Sequence, residues 1–182
     1  NKLWEEFVFV TLRRKLTDCY VEEQDSRAFW RRDGGRAKTV RADIVISKDE
    51  GRFVLDTKWK TPYDRDSSGK LDISDADLHQ MYVYSHIYKK DKGKNSEEKE
   101  VKRVALLYPR CHDTDEDITG AFMDNTAAGC DMIFLPGVSG KSESKPEESQ
   151  NNDEPKMDWQ ECRDWQEQIV AHINKWIVNN NQ

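Results

Sequence analysis

Apolar positions in the first sixteen residues recur at helical spacing: Leu3, Trp4, Phe7, Val8 and Leu12, with Arg13, Arg14 and Lys15 at the far end. Residues three and four apart share a helix face, and cations suit a helix C-terminus, so the pattern predicts a helix over 2–16. The pattern then turns to short extended runs. "CYVEEQ" and "AFWRR" read as short strands, and Asp33-Gly34-Gly35 as a turn that makes a hairpin with the next run. "VRADIVIS" and "FVLDTKWK" read as two strands joined by the turn "KDEGR", the clearest hairpin in the chain. A polar loop, "TPYDRDSSGKLDIS", ends at a helix start where Ser74 can cap and Asp75 and Asp77 fall in the first turn. That helix runs to about Tyr88 and places Leu78, Met81, Tyr82, Ser85 and His86 near one another.

A charged, solvated connection, "KKDKGKNSEEKEVKR", leads to "VALLYP", a near-continuous apolar run that reads as an interior strand ended by Pro109. The acidic loop "RCHDTDEDITG" precedes a last strand, "CDMIFLP", stopped by Pro136. Residues 137–157 are rich in Ser, Glu, Asn and Pro and have little to bury, which predicts a flexible polar linker. A final helix follows from Asp158 to about Val178, with Trp159, Cys162, Ile169, Ile173, Trp176 and Ile177 as its apolar stripe. The order of elements predicts an α/β fold with a mixed central sheet flanked by helices.

Composition narrows the class. Apolar residues are 36% of the 182 and charged residues 35%, a polar balance that the loops explain, since six Trp, six Tyr and six Phe still supply core bulk. No apolar stretch is long enough to span a bilayer, so no membrane role is expected. The start has charges inside its apolar run, unlike a secretory signal, and lacks Met, as in a fragment of a longer protein. Cys19, Cys111, Cys130 and Cys162 are far apart, with no C-x-x-C pair; buried thiols in a reduced, cytoplasmic setting are expected rather than a zinc site. The net charge of −6 is not that of a protein that coats nucleic acid. No G-x-x-x-x-G-K-[ST] stretch occurs, so nucleotide hydrolysis is not expected of this chain.

The hairpin carries charge where buried strands should not. Asp43 and Asp56 are thirteen residues apart across one turn, a step that can bring them side by side on neighbouring strands. Asp56 and Lys58 are two apart, so they share a strand face, with Thr57 on the other. Paired carboxylates suit a hard divalent cation such as magnesium, which takes oxygen ligands and keeps several waters; the Thr57 carbonyl can add another. A cation of that kind activates water, and a nearby ammonium stabilises charge on a phosphate. A lone Asp-x-Lys at a strand end is more often a surface ion pair. Elsewhere the plain readings prevail. Cys111-His112 among Asp113, Asp115, Glu116 and Asp117 reads as a solvated acidic loop, Trp30 as a core aromatic beside Arg31 and Arg32, and His86 and His172 as surface or packing residues. His79 points about 100° away from Gln80 around the helix.

Four motifs in order change the weighing. "ADIVI" and "LDTKWK" resemble the signature of the PD-(D/E)XK nuclease superfamily, with Ala42-Asp43 where Pro-Asp is usual and Asp56-Thr57-Lys58 as the second half. "DLHQMYVYSHIY" contains Gln80-x-x-x-Tyr84, similar to the helix motif of RecB-like members, and "LWEEFV" resembles their first-helix pattern. Taken together, over roughly residues 3–135, the chain most closely resembles the McrC nuclease family of modification-dependent, GTP-driven restriction systems. The resemblance implies a restriction-endonuclease-like (PD-(D/E)XK) fold and magnesium-dependent DNA cleavage. Asp43 and Asp56 would bind Mg2+ with Thr57 and Glu5 (or its neighbour Glu6), and Lys58 would be the catalytic lysine. Gln80, Tyr84 and Lys60 would contact the DNA backbone or position the metal shell. It also implies a McrB-like AAA+ GTPase partner, base recognition outside this chain, and a dimer or paired complex for double-strand cutting. The corresponding division is a nuclease core over 1–136, the linker over 137–157, and a helix over 158–182 packing on the core or on a partner. The rival expectation is a nuclease-fold module that binds DNA or a partner GTPase without cutting.

Overall fold

The computed structural model describes residues 2–49, 51–60, 62, 73–89, 99–111, 116–137 and 159–181. In chain order these form α1 (Lys2–Lys15), β1 (Tyr20–Arg31), β2 (Ala37–Lys48), β3 (Gly51–Thr57), α2 (Asp75–Ile87), β4 (Glu100–Pro109), β5 (Ile118–Thr119), β6 (Gly129–Leu135) and α3 (Trp159–Asn180). One mixed sheet runs in the order β1-β2-β3-β4-β6-β5. Neighbours are antiparallel from β1 to β3, parallel from β3 through β4 to β6, and antiparallel again at β5. This α/β architecture is compatible with a restriction-endonuclease-like fold.

The apolar run over β4 is interior because both its edges are paired, with β3 on one side and β6 on the other. Its alternate residues enter two separate cores. Ala105 and Leu107 join Ile44, Ile46, Phe53 and Leu55 under α1 and α3, which contribute Trp4, Val8, Leu12, Ile169, Ile173 and Ile177. Val104, Leu106 and Tyr108 join Val45, Val54 and Phe134 under α2, which contributes Met81 and Tyr84. A strand buried on both faces reads as continuously apolar, which is what "VALLYP" shows.

Several expectations are corrected. The two short strands expected after α1 are one twelve-residue strand, irregular at Gln24 (φ 47) and between Ala28 and Trp30. Trp30 is exposed rather than core, as are Leu3 and Trp159 in the helix stripes. β3 ends at Thr57, so Lys58-Trp59-Lys60 lies beyond the strand, although the Lys58 amide still donates to the Leu107 carbonyl at 2.8 Å. Part of the expected acidic loop is β5, whose two residues pair with Met132 and Asp131. Of the four cysteines, each expected to be buried, only Cys130 is. Ser74 stands at the α2 N-cap without a capping bond from its side chain. Most of the expected linker, and His112, Asp113 and Asp115 of the acidic loop, lie outside the described residues.

Candidate active site

Turn geometry sets the hairpin register. Lys48 pairs with Gly51 across a two-residue connection, and Asp49 takes φ 50, a left-handed conformation that Asp tolerates. The ladder then runs to Ile44↔Leu55, which makes Asp43 and Asp56 the next residues outward on facing strands. There β2 leaves β3 while it continues along β1. The carboxylates therefore sit where the strands part, just beyond the last paired residues, Ile44 and Leu55.

The site is a connected polar cluster. Asp43 accepts from the Thr57 amide at 2.7 Å and from the Thr57 hydroxyl at 2.9 Å. Asp56, only 3% exposed, accepts from Gln80 Nε2 at 3.0 Å and pairs with Lys58 Nζ at 2.5 Å. Lys58 also reaches Asp77 at 3.1 Å and Gln80 Oε1 at 3.3 Å. Asp77 in turn holds Lys60 at 2.5 Å. Gln80 is bonded to the Tyr84 hydroxyl at 2.6 Å, and that hydroxyl donates to the Arg41 carbonyl. On the α1 side Glu5 accepts from Gln24 at 3.0 Å and shares with Asp43 a cavity of about 310 Å³ that Lys2, Glu6, Phe9, Glu23 and Gln24 also line. A larger, mainly apolar hollow of about 910 Å³, lined by Trp4, Phe7, Trp59 and Trp165, meets the cluster only at Lys60 and has no carboxylate on its wall.

Burial and like charge dominate the electrostatics. Burial, then the Asp43 charge, push Asp56 up from 3.8 to about 6 despite Lys58 beside it. Asp43 is also raised, by burial first and by Glu5 among its neighbours, against the two Thr57 bonds. Burial lowers Lys58, but Asp56 and Asp77 outweigh it and leave the ammonium above its ordinary value. Asp77 moves the other way, because Lys60 and Lys58 outweigh its burial and hold it ionised.

The donor set fits a hard cation. Two carboxylates that repel each other in a buried place, with a third, Glu5, across a shared cavity, are what a divalent ion relieves. Among the described residues no three His, Cys, Asp or Glu side chains stand close enough to hold an ion unaided. A cation held here would need backbone carbonyl and water oxygens to complete its shell, as magnesium sites commonly do.

A family model described as McrBC 5-methylcytosine restriction system component matches residues 1–109. The chain belongs to that family. The match covers 109 of 182 residues and takes in every residue of the cluster. A search among curated proteins gave no match.

For this McrBC component, the geometry sorts the residues expected from sequence. Asp43, Asp56, Lys58 and Gln80 converge; Lys60 joins them through Asp77 rather than along a strand. Glu5 and Glu6 both line the cavity that Asp43 faces, and Glu5 is among the charges that raise Asp43. Thr57 is more than a spacer, since its hydroxyl and amide both hold Asp43. Tyr84 is fully buried, and its hydroxyl bonds Gln80 and the Arg41 carbonyl. Sequence reasoning missed Asp77, read as a helix-start acid, and Tyr88. The signal for Tyr88 was present: Gln80, Tyr84 and Tyr88 stand at i, i+4 and i+8, one helix face.

Proposed function

We propose that this chain is the DNA-cleaving, McrC-type component of its restriction system, a magnesium-dependent endonuclease with its active site at Asp43, Asp56 and Lys58. The observation that carries this reading is the convergence of those three side chains with Gln80 and Asp77 at the point where β2 parts from β3. Asp43, Asp56, the Thr57 carbonyl and Glu5 would hold Mg2+. When bound, the ion supplies charge neutralisation at phosphorus and a more acidic water. Thr57 keeps Asp43 oriented through two hydrogen bonds, and Gln80 does the same for Asp56. Lys58, held ionised by its two carboxylates, orients the attacking water and stabilises charge on the phosphate. Lys60 is half-exposed and contacts a flanking phosphate once it leaves Asp77.

Base recognition and nucleotide hydrolysis belong to a McrB-like AAA+ GTPase partner in this reading. The acidic balance supports that division, because weak intrinsic DNA affinity suits a nuclease delivered by a complex. Double-strand cutting calls for two such sites and hence a dimer or paired complex. A cytoplasmic setting belongs to this reading, in keeping with four widely spaced cysteines and no C-x-x-C pair. The test is cleavage of methylated plasmid with Mg2+, with and without the GTPase, by wild type, Asp56→Ala and Lys58→Ala. Each variant is expected to lose about a hundredfold or more. Equal cutting by all three removes the site assignment. A wild type that stays silent with its partner present identifies a nuclease-fold module that binds without cutting.

A further inference from the structure

The β1–β2 ladder is interrupted opposite the site. Glu23 pairs with Ile44 and Asp25 with Ala42, but Gln24 and Asp43 between them do not pair. Gln24 has φ 47, a left-handed conformation that costs a non-glycine residue energy and persists only where surroundings impose it. The phase of β2 also slips there, since Ala42 lies in the core under α2 and Ile44 in the core under α1 and α3. The Tyr88 side chain reaches the ladder at the next pair, Asp25 and Ala42, beside the interruption. The Tyr88 hydroxyl accepts from the Ala42 amide at 2.8 Å and donates to the Asp25 carbonyl, so it stands between two backbone groups that face each other across the ladder. Its ring is fully buried, packed edge-on to Tyr84 and under the Arg27 guanidinium, and its carbonyl accepts from Arg52 at 2.8 Å. The wedge is thus anchored at both ends.

We propose that Tyr88 is a positioning residue for the cation site: its hydroxyl, wedged between β1 and β2, holds the ladder open at Gln24 and Asp43, freeing Asp43 to face the shared cavity and Gln24 to hold Glu5. The proposal rests on the metal-dependent reading above and adds to it a residue that touches neither cation nor DNA. Without the hydroxyl the two strands close or drift, Gln24 loses the reason for its left-handed conformation, and both carboxylates lose their orientation. Removing a group that orients a metal ligand commonly costs ten- to a hundredfold in affinity.

The test uses the full chain, without DNA, titrated with Mn2+ as the probe. Tyr88→Phe keeps the ring and removes the wedge. Gln24→Gly removes the tether to Glu5 and suits the left-handed conformation, so it should fold at least as well as wild type. Ser85→Ala is the control; it removes a buried hydroxyl that bonds the Tyr82 carbonyl within the same helix. Tyr88→Phe and Gln24→Gly are expected to raise the Mn2+ dissociation constant about tenfold or more. Cleavage by both should be restored by excess Mg2+, and Ser85→Ala should match wild type. Mn2+ affinity that is the same in wild type, Tyr88→Phe and Gln24→Gly overturns the proposal. A wild type that binds no Mn2+ overturns the metal-dependent reading instead. The wedge is then decided by hydrogen exchange at the Ala42 amide, which should quicken at least tenfold in Tyr88→Phe; unchanged exchange overturns it.

Discussion

Asp56 sits in a conflict that its neighbours only partly relieve. Burial and the charge of Asp43 raise it to about 6, while Lys58 and Gln80 stabilise the anion. A carboxyl raised in the folded state binds more protons folded than unfolded, so between about pH 4 and pH 6 it favours folding as pH falls, and that contribution is lost as pH rises through 6. The difference from the ordinary 3.8 corresponds to roughly 3 kcal/mol as a ceiling. Asp56→Asn should flatten the pH dependence of stability in this window when melting is followed in EDTA. Identical slopes in wild type and variant would sink the assignment. Tyr84→Phe is a second residue-scale case. It leaves the Arg41 carbonyl without its hydroxyl donor and Gln80 without its anchor, a cost of about 1–3 kcal/mol in denaturant unfolding, with slower cleavage. The charged residues themselves were legible in sequence, because Asp43, Asp56 and Lys58 break apolar runs. Asp77 and the Thr57 hydroxyl were not, since a helix-start acid and a strand threonine are ordinary at those positions and only the fold brings Lys58, Lys60 and Asp43 to them.

At the scale of elements, the strongly periodic pieces were readable and the interrupted ones were not. α1, α2, α3 and the β2–β3 hairpin follow from spacing and turn chemistry. β1 misled because its solvent-facing positions carry Glu23, Gln24, Phe29 and Trp30 and its ladder is broken at Gln24, so neither alternation nor an apolar run marks it as one strand. β5 is too short to leave a pattern, and exists because β6 offers it an edge. α3 yields a prediction of its own. Ile173 is fully buried in the core beneath α1 and α3, and near it Trp176 donates to Asp131 at 2.8 Å, the residue that also pairs with Arg103. Ile173→Ala should destabilise by about 2–5 kcal/mol in denaturant unfolding and leave Mn2+ affinity unchanged, because no side chain of the polar cluster belongs to α3. A loss of metal binding at full folding would mean that α3 shapes the site directly.

The molecule as a whole is built larger than its family signature. The family match ends at Pro109, the last residue of β4, and so includes the whole polar cluster but leaves out β5, β6 and α3. Yet β4 is paired with β6 from Arg103↔Gly129 to Pro109↔Leu135. The core under α1 draws Ile133, Leu135, Ile169, Ile173, Trp176 and Ile177 from beyond residue 109. A fragment of residues 1–109 would keep each side chain of the polar cluster and expose β4 as an apolar edge strand, a template for association with other chains. It would also leave Trp4, Val8 and Leu12 of α1 without the helix that covers them. We expect that fragment to aggregate or to unfold without a cooperative transition, and to bind no Mn2+, and we expect the 182-residue chain to unfold cooperatively. Calorimetry and light scattering on the two decide the matter. A soluble fragment with a sharp transition would show that β1–β4 with α1 and α2 fold alone, and that β6 and α3 are additions to a complete nuclease core rather than half of its support.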